Sequence, residues 1–367
     1  MSLLESLIIV SEKAANIARL CRQDQHLFQL LVQEKSSDQS NPRFVQDFKT
    51  LADVLIQETV KHDIGRQFPE LKSFIKGEED NVFRNTIGEE VVVQIQEAVD
   101  DTANVLMKVL NGDNVAAKLL AEEVHRQVAL EDVDAFAEYL PENVQLDCEG
   151  LGVWIDPIDS TAEYINAEEV VDEYGIYLSG LRCVTVLIGV YDQTSGVPVI
   201  GIINQPFHKF SDEQWHGRCH WGISLPRLHM SSVLKQCLSS PRNLICISSS
   251  ENDDIKAKLQ ADGFHLVEVA GAGYKILTVI TQKADAYLLS KNTTFKWDTC
   301  GPQAILRSLQ GDIIRFDKAA ENIYKPIDYI CLNGDGTDKL EEYCNMGGIV
   351  AFNEVVISKT IMRTLNK

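Results

Sequence analysis

The sequence has no long uninterrupted hydrophobic run, which argues against a membrane-spanning segment. Its N-terminal apolar stretch, residues 3–10, is broken by Glu5 and has no basic start, so we expect neither anchor nor signal peptide. No C-x-x-C pair occurs, and the nine cysteines are odd in number and scattered. This arrangement indicates reduced core thiols rather than a disulfide framework or a zinc site. We therefore expect a cytoplasmic protein.

Basic residues are scarce: 34 Lys and Arg stand against 54 Asp and Glu, for a net charge of −20. This balance excludes nonspecific binding to nucleic acid or to an acidic membrane, because both need a basic surface. An anionic substrate would have to be held by bound metal ions. The expected partner is a small molecule, with no nucleic acid and no membrane.

A chain of 367 residues with 45% hydrophobic content favours two domains over one core. Periodicity fades over residues 225–242, so we predict domains at 1–228 and 229–367. The first half predicts two helices, at about 3–22 and 48–60, that cover a sheet, and a long hairpin over 183–204. The second half alternates short strands with helices, which predicts an α/β layer.

Residues 152–161 are the strongest candidate site. An apolar strand-like run is followed by Asp156 and Asp159, and Pro157 between them predicts a turn. Two carboxylates and the Ile158 carbonyl can then converge, an oxygen-only set that suits Mg²⁺ or Mn²⁺. Ser160 and Thr161 would begin a helix whose free N–H groups suit a phosphate. A simple helix cap at Asp159 or Ser160 would explain the same letters.

Three further acidic positions are ambiguous on their own. Asp53 stands three residues after Thr50, which fits a capping box as well as a residue that orients a hydroxyl or water. Glu78 and Glu79 follow a glycine turn, and a solvated acidic face explains them equally well. Asp298 lies in the first turn of a predicted helix, where stabilisation of the helix dipole suffices to explain it.

In the second half, Gly271 and Lys275 lie where a predicted strand ends and a helix begins. The third glycine of a dinucleotide fingerprint is missing, so we do not predict NAD binding. A backbone cradle for a phosphate or ring hydroxyl and an ordinary glycine turn both remain open. Residues 333–338 resemble part of a calcium loop but lack the glutamate it needs, and both they and the polar residues 35–41 are predicted to be plain loops.

Taken in order, Asp53, Gly77-Glu78-Glu79, the stretch 156–161 and Trp297-Asp298 resemble the lithium-inhibited, magnesium-dependent phosphomonoesterases of the inositol monophosphatase and fructose-1,6-bisphosphatase superfamily. Residues 11–19, 47–53 and 293–298 are similar to a branch of it that acts on inositol polyphosphates. The likeness runs to about Arg307 and is thin beyond. It implies a layered α-β-α-β-α sandwich of the sugar-phosphatase type, with two sheets.

The resemblance also implies roles for residues. Glu78, Asp156 and the Ile158 carbonyl would hold one Mg²⁺, and Asp156, Asp159 and Asp298 a second, with Glu79 close by and a third, weaker ion near Glu78. Asp53 and Thr161 would orient and deprotonate the attacking water. The amides of Ser160 and Thr161 would bind phosphoryl oxygens, and Ser250, Gly271 and Lys275 would contact the inositol.

The expected reaction is removal of the 1-phosphate from inositol 1,4-bisphosphate and inositol 1,3,4-trisphosphate, with Li⁺ as an inhibitor. This would place a monomeric enzyme in inositol phosphate metabolism and phosphatidylinositol signalling. A 3'(2'),5'-bisphosphate nucleotidase would share every metal ligand. A catalytically silent metal-binding or scaffolding protein is a third alternative, against which the intact carboxylate set weighs.

One position departs from the pattern of the vertebrate relatives, which read Ser-Glu-Lys where this chain reads Ser250-Glu251-Asn252. A lysine there would make a charge-assisted bond to the phosphate distant from the scissile one. Asn252 offers only a neutral hydrogen bond, roughly half as strong. We therefore expect weaker binding of the bisphosphate.

Overall fold

The computed structural model of the protein describes residues 1–24, 27–28, 32–34, 48–85, 88–141, 144, 146–235, 242–330 and 342–367. The loops expected at 35–41 and 333–338 lie outside them. The helices are α1 (Leu3–Gln23), α2 (Leu51–Gln67), α3 (Val99–Val109), α4 (Asn114–His125), α5 (Thr161–Asn166), α6 (Asp253–Ala261), α7 (Ala272–Ile280), α8 (Lys296–Ser308), α9 (Phe316–Ala320) and α10 (Val355–Leu365). The strands are β1 (Val32–Glu34), β2 (Phe48–Thr50), β3 (Ile75–Gly77), β4 (Val82–Arg84), β5 (Glu90–Val92), β6 (Leu151–Asp159), β7 (Val170–Val171), β8 (Tyr177–Ser179), β9 (Thr185–Asp192), β10 (Pro198–Ser211), β11 (Gln214–Leu225), β12 (Leu228–Ser231), β13 (Leu244–Ile247), β14 (His265–Glu268), β15 (Ala286–Leu289), β16 (Asp312–Arg315) and β17 (Ile349–Phe352).

The first sheet has six strands in the order β12-β11-β10-β9-β6-β3, and only β3 and β6 run parallel. Helices α1 and α2 pack on one of its faces. In α1 the apolar residues recur at helical spacing, and Leu4, Leu7 and Ile8 are buried against strand residues such as Val153 and Trp221. The predicted pair of helices over a sheet is confirmed.

Helices α7 and α8 lie between the two sheets, in a core that joins Trp154 and Leu187 of the first sheet to Ile313 of the second. Glycines let α8 lie close to the first sheet. A Cβ on Gly201 would stand 1.9 Å from the Gly301 carbonyl oxygen of α8. The backbone of α8 thus touches β10 directly, and this contact brings the helix N-terminus to the end of β6.

The second sheet has five strands in the order β14-β13-β15-β17-β16, of which β13 is parallel to β14 and β15. Its outer face is covered by α6, α9 and α10, through contacts that include Leu259, Ile361 and Val350. The layers therefore alternate α-β-α-β-α. This confirms the expected two-sheet sandwich.

Two features bear on the predicted domain boundary at residue 228. Strand β12 (Leu228–Ser231) pairs with β11 and so belongs to the first sheet, and α8 packs on that same sheet although it lies in the second half. The tail beyond Arg307 supplies β16, β17 and α10, which complete the second sheet and its outer layer. Among the described residues, no helix combines the length and apolarity needed to cross a membrane.

Candidate active site

Strand β6 does not end at Ile155, as the sequence predicted; it continues to Asp159. In place of the expected turn at Pro157 the strand has a β-bulge. Asp156 pairs with Leu187 and Asp159 with Thr185, so β6 has one residue more than β9 between these two pairs. In a regular strand, positions 156 and 159 would face opposite sides. The extra residue returns both carboxylates to the same side.

Asp298 joins them from another element. Asp156, Asp159 and Asp298 are buried, and each offers a ligand oxygen within 4.8 Å of the other two. Asp298 is the third residue of α8, and its Oδ2 accepts a hydrogen bond from the Phe295 amide at 2.6 Å. Asp298 thus lies in the first turn of α8, as predicted. The hydrogen bond from the Phe295 amide also holds its carboxylate in the cluster.

The N-terminus of α7 fixes Asp159. Its Oδ2 accepts from the Gly273 amide at 2.8 Å and from the Thr185 hydroxyl at 3.2 Å, and its Oδ1 accepts from the Ala272 amide at 3.2 Å. Gly271 has a φ of 72°, and a Cβ there would lie 3.1 Å from Asp159 Oδ2. The glycine turn of the second half therefore contacts the acidic stretch of the first. Sequence reasoning missed Thr185, which stands in an otherwise apolar strand.

Asp53 forms the predicted capping box of α2: its Oδ2 accepts from the Thr50 amide at 2.7 Å, and the Thr50 Oγ1 accepts from the Asp53 amide. The carboxylate is also buried. Burial and the nearby charge of Glu79 raise the pKa of Asp53 to about 8. The Asp53 side chain therefore caps α2 and also lies near the charge of Glu79.

Gln57, one turn along α2, holds the loop that carries Glu78 and Glu79. Its Nε2 donates to the Glu79 carbonyl, and its Oε1 accepts from the Glu79 amide at 2.9 Å. Gly77 makes room for it, because a Cβ there would lie 2.0 Å from Gln57 Oε1. Gln57 was not predicted from the sequence, in which its only signal is that of a polar residue on a buried helix face.

The cluster carries more negative charge than its own hydrogen bonds can stabilise. Burial, then the charge of Glu78, raises the pKa of Asp156 well above its usual range; burial and the charge of Asp159 do the same for Asp298. Asp156 Oδ1 is buried and, among the described residues, accepts no hydrogen bond. A buried carboxylate oxygen with no donor, in an oxygen-only set, fits a hard divalent cation such as Mg²⁺.

Without metal, these raised pKa values predict that stability falls as pH rises. Unfolded carboxyl groups titrate near pH ~4. Above that pH the folded state keeps more protons than the unfolded state, so the free energy of unfolding decreases up to the raised folded pKa values. We expect the urea midpoint in chelator to fall as pH rises above about 5 and to continue falling at least to about pH 8, the pKa of Asp53. The slope should be shallower in Asp156→Asn; equal slopes would contradict the assignment.

Comparison with known proteins decides the family. The sequence profile described as the inositol monophosphatase family matches residues 3–345. The chain belongs to the inositol monophosphatase family. Mouse inositol polyphosphate 1-phosphatase is 41% identical over 95% of this chain and 93% of its own length. The likeness thus extends well past Arg307, farther than the sequence motifs indicated. The present protein is therefore a phosphatase.

More distant relatives agree on the fold. Rat 3'(2'),5'-bisphosphate nucleotidase 1 is 27% identical over 96% of this chain and 90% of its own length. The crystal structure of the suhB protein from Bartonella henselae covers 99% of this chain and 97% of its own, with a TM-score of 0.54 and 13% identity. That likeness shows the layered fold alone.

Ser160 and Thr161 lie directly after the acidic strand of this phosphatase. Ser160 has a φ of 73°, a left-handed conformation that is uncommon for a residue with a Cβ and is concentrated at functional sites. The Thr161 hydroxyl donates to the Ile158 carbonyl at 3.2 Å. Both residues are therefore held at the rim of the carboxylate cluster.

The predicted substrate residues of the second half are placed differently from one another. Lys275 is buried, its Nζ donates to the Val269 carbonyl at 2.9 Å, and burial lowers its pKa. Asn252 is exposed and caps α6, its Oδ1 accepting from the amides of Asp254 and Ile255. Ser250 lies exposed in the turn before it. Contact of these residues with a substrate stays a prediction.

Proposed function

We propose that this phosphatase hydrolyses the 1-phosphate of inositol 1,4-bisphosphate and inositol 1,3,4-trisphosphate, with Mg²⁺ as cofactor and Li⁺ as inhibitor. The observation that carries the proposal is the buried cluster of Asp156, Asp159 and Asp298. Within it, Asp156 Oδ1 accepts no hydrogen bond from any residue that the structure describes. Substrate choice is supported by the 41% identity to the mouse inositol polyphosphate 1-phosphatase.

The residues present would hold two ions, one through Glu78, Asp156 and the Ile158 carbonyl, the other through Asp156, Asp159 and Asp298; a third near Glu78 is part of the proposal. When bound, Mg²⁺ would offset the carboxylate charge and stabilise the oxygens that enter and leave the phosphorus in an in-line displacement. The protein's part is to hold the carboxylate oxygens of the site in place. Gly273 and Thr185 hold Asp159, and the Phe295 amide holds Asp298.

Asp53 would accept the proton of the attacking water, and Thr161 would orient that water. Asp53 is buried beside Glu79, and a carboxylate at this place can act as the general base for the attacking water. The Thr161 hydroxyl donates its proton to the Ile158 carbonyl, which fixes its orientation and leaves its oxygen able to accept a hydrogen bond from a water. The amides of Ser160 and Thr161 would bind phosphoryl oxygens.

On the substrate side, Gly271 lies against Asp159, and its proposed role is contact with the inositol. We propose that the turn at Ser250 and Asn252 faces the rest of the inositol, with Lys275 as a buried positive charge behind Asp159. The Asn252 side chain is engaged as a helix cap, which agrees with weak binding of a distant phosphate. Cytoplasmic location and the monomeric state stay predictions from the sequence.

A bisphosphate nucleotidase is the less favoured alternative, because the rat nucleotidase shares 27% identity with this chain against 41% for the mouse 1-phosphatase. A scaffold without activity is not favoured either. Burial, together with neighbouring carboxylate charge, raises the pKa of Asp156 and of Asp298 and so costs stability, an arrangement that function explains and folding alone does not.

The test is phosphate release from a panel of inositol phosphates and 3',5'-adenosine bisphosphate, with Mg²⁺, with chelator, and with Li⁺ added over Mg²⁺. We expect release from inositol 1,4-bisphosphate in Mg²⁺, none in chelator, and inhibition by Li⁺, since a monovalent ion can occupy a carboxylate site without supplying the same charge. Preferential hydrolysis of the adenosine bisphosphate would replace the assignment by a nucleotidase. Absence of any release would favour the scaffold.

A further inference from the structure

Residues 342–348, here called the return segment, run back from the tail to the loop that precedes α8. Cys344 forms an antiparallel bridge with Phe295, and the Asn345 amide donates to the Thr294 carbonyl at 2.8 Å. The Gly347 amide donates to Asn292 Oδ1 at 2.7 Å. The tail therefore adds a short pairing to residues 292–295, immediately before the helix that carries Asp298.

The side chain of Asn345 reaches farther into this loop. Its Nδ2 donates to the Phe295 carbonyl at 2.8 Å and has the hydroxyls of Thr299 and Thr294 at 3.1 and 3.3 Å. Asn345 is 5% exposed, and both threonines are buried. A buried amide surrounded by three acceptors fixes the orientation of the backbone it binds, because breaking these bonds would leave polar groups without partners.

Phe295 links Asn345 to the acidic cluster. Its carbonyl accepts from Asn345 Nδ2, while its own amide donates to Asp298 Oδ2 at 2.6 Å. The same carbonyl also accepts from the Asp298 amide at 3.1 Å and from the Thr299 hydroxyl at 3.2 Å. The direction of the Asp298 carboxylate is thus set by a residue whose backbone Asn345 holds.

Tyr343 adds an aromatic contact from the same segment. Its ring lies 6.1 Å from that of Trp297 and 5.1 Å from that of Trp154, edge to face in both cases. Trp297 precedes Asp298, and Trp154 lies two residues before Asp156 in β6. The return segment therefore packs against the elements that supply two of the three carboxylates.

We propose that Asn345 is a positioning residue for the metal site, acting through Phe295 on Asp298. The inference rests on the proposed metal-dependent function and assigns a role to the segment that immediately precedes β17. Groups that orient a ligand without touching the metal change metal affinity by roughly 10- to 100-fold when they are removed. We expect Asn345 to act in this range.

In the experiment, the Asn345→Ala and Asn345→Asp variants are titrated with Mg²⁺. Calorimetry measures the Mg²⁺ affinity, and the rise in unfolding temperature on addition of Mg²⁺ measures it independently. The aspartate keeps the size but faces the Phe295 carbonyl with an acceptor, and it serves where the alanine variant does not fold. We expect roughly 10-fold weaker Mg²⁺ binding, with phosphate release recovering at high Mg²⁺. The control is Asn353→Ala, another buried tail asparagine, whose Nδ2 donates to the Ala284 carbonyl at 3.2 Å.

A merely structural Asn345 would lower the unfolding temperature as Asn353→Ala does and leave Mg²⁺ affinity unchanged, which would overturn the inference. Asp298→Asn in the same titration shows the effect of losing the ligand itself. An unmodified protein that binds no Mg²⁺ would instead overturn the proposed function. The two failures are therefore distinguishable.

Discussion

Asp156→Asn is expected to abolish phosphate release while leaving the fold intact. Asp156 is buried with Asp159 and Asp298, their ligand oxygens all within 4.8 Å of one another, and in the proposed arrangement its carboxylate would serve both ion sites. A bound divalent ion contributes several kcal/mol of transition-state stabilisation, so we expect a loss of about 10³-fold or more. Phosphate release at saturating Mg²⁺, with folding checked by circular dichroism, measures it.

The same variant should be more stable than the unmodified protein when metal is absent. The raised pKa of Asp156 costs the folded state stability above pH ~4, and asparagine has no such cost. The unfolding temperature in chelator at pH 7 should therefore rise, and the stabilisation by Mg²⁺ should largely vanish. Asp285→Asn is the matched control, because Asp285 is buried and accepts from the Leu244 amide at 3.0 Å but lies outside the cluster. It should keep activity and gain no stability in chelator, since the asparagine oxygen can still accept from the Leu244 amide. Near-normal turnover by a folded Asp156→Asn protein would exclude the two-ion site.

Asp53→Asn should lose far more rate than stability. The asparagine Oδ1 can still accept from the Thr50 amide, so the capping box survives and the cost in unfolding free energy should stay below ~1 kcal/mol. It cannot accept a proton from water, and loss of a general base typically costs roughly 10²- to 10⁴-fold in rate. Turnover number and urea midpoint, measured on the same preparation, separate the two effects.

Asp113→Asn provides the matched cap. Asp113 caps α4, its Oδ1 accepting from the amides of Val115 and Ala116, with no part in the site. This change should leave both rate and stability nearly unaltered, since aspartate and asparagine cap equally well. If Asp53→Asn behaved like Asp113→Asn, Asp53 would be a cap alone, and the proton would have to be removed by another group.

The helices and strands of the second half were predictable because their signals are local. Apolar spacing, glycine ends and caps predict helices at about 252–261, 272–282 and 297–309, within two residues of the observed bounds of α6, α7 and α8. The bulge in β6 was not predictable. Pro157 announces an irregularity, but whether the chain turns or continues depends on pairing with β9, which lies more than 25 residues away in sequence.

The sequence by itself determined the acidic motifs and their order, since these depend on residue types at short spacing, and the resemblance that the motifs carry implied the two-sheet layering. Only the tertiary structure decided which partners hold them: Gln57 on Glu79, Thr185 and the α7 amides on Asp159, and the return segment on the loop of Asp298. These partners are ordinary polar residues, distant in sequence from the carboxylates that they hold. Their roles arise from the close contact of α8 with the first sheet and from the return of the tail. No local pattern encodes such contacts, because burial and hydrogen bonding at these positions exist only once the layers have packed.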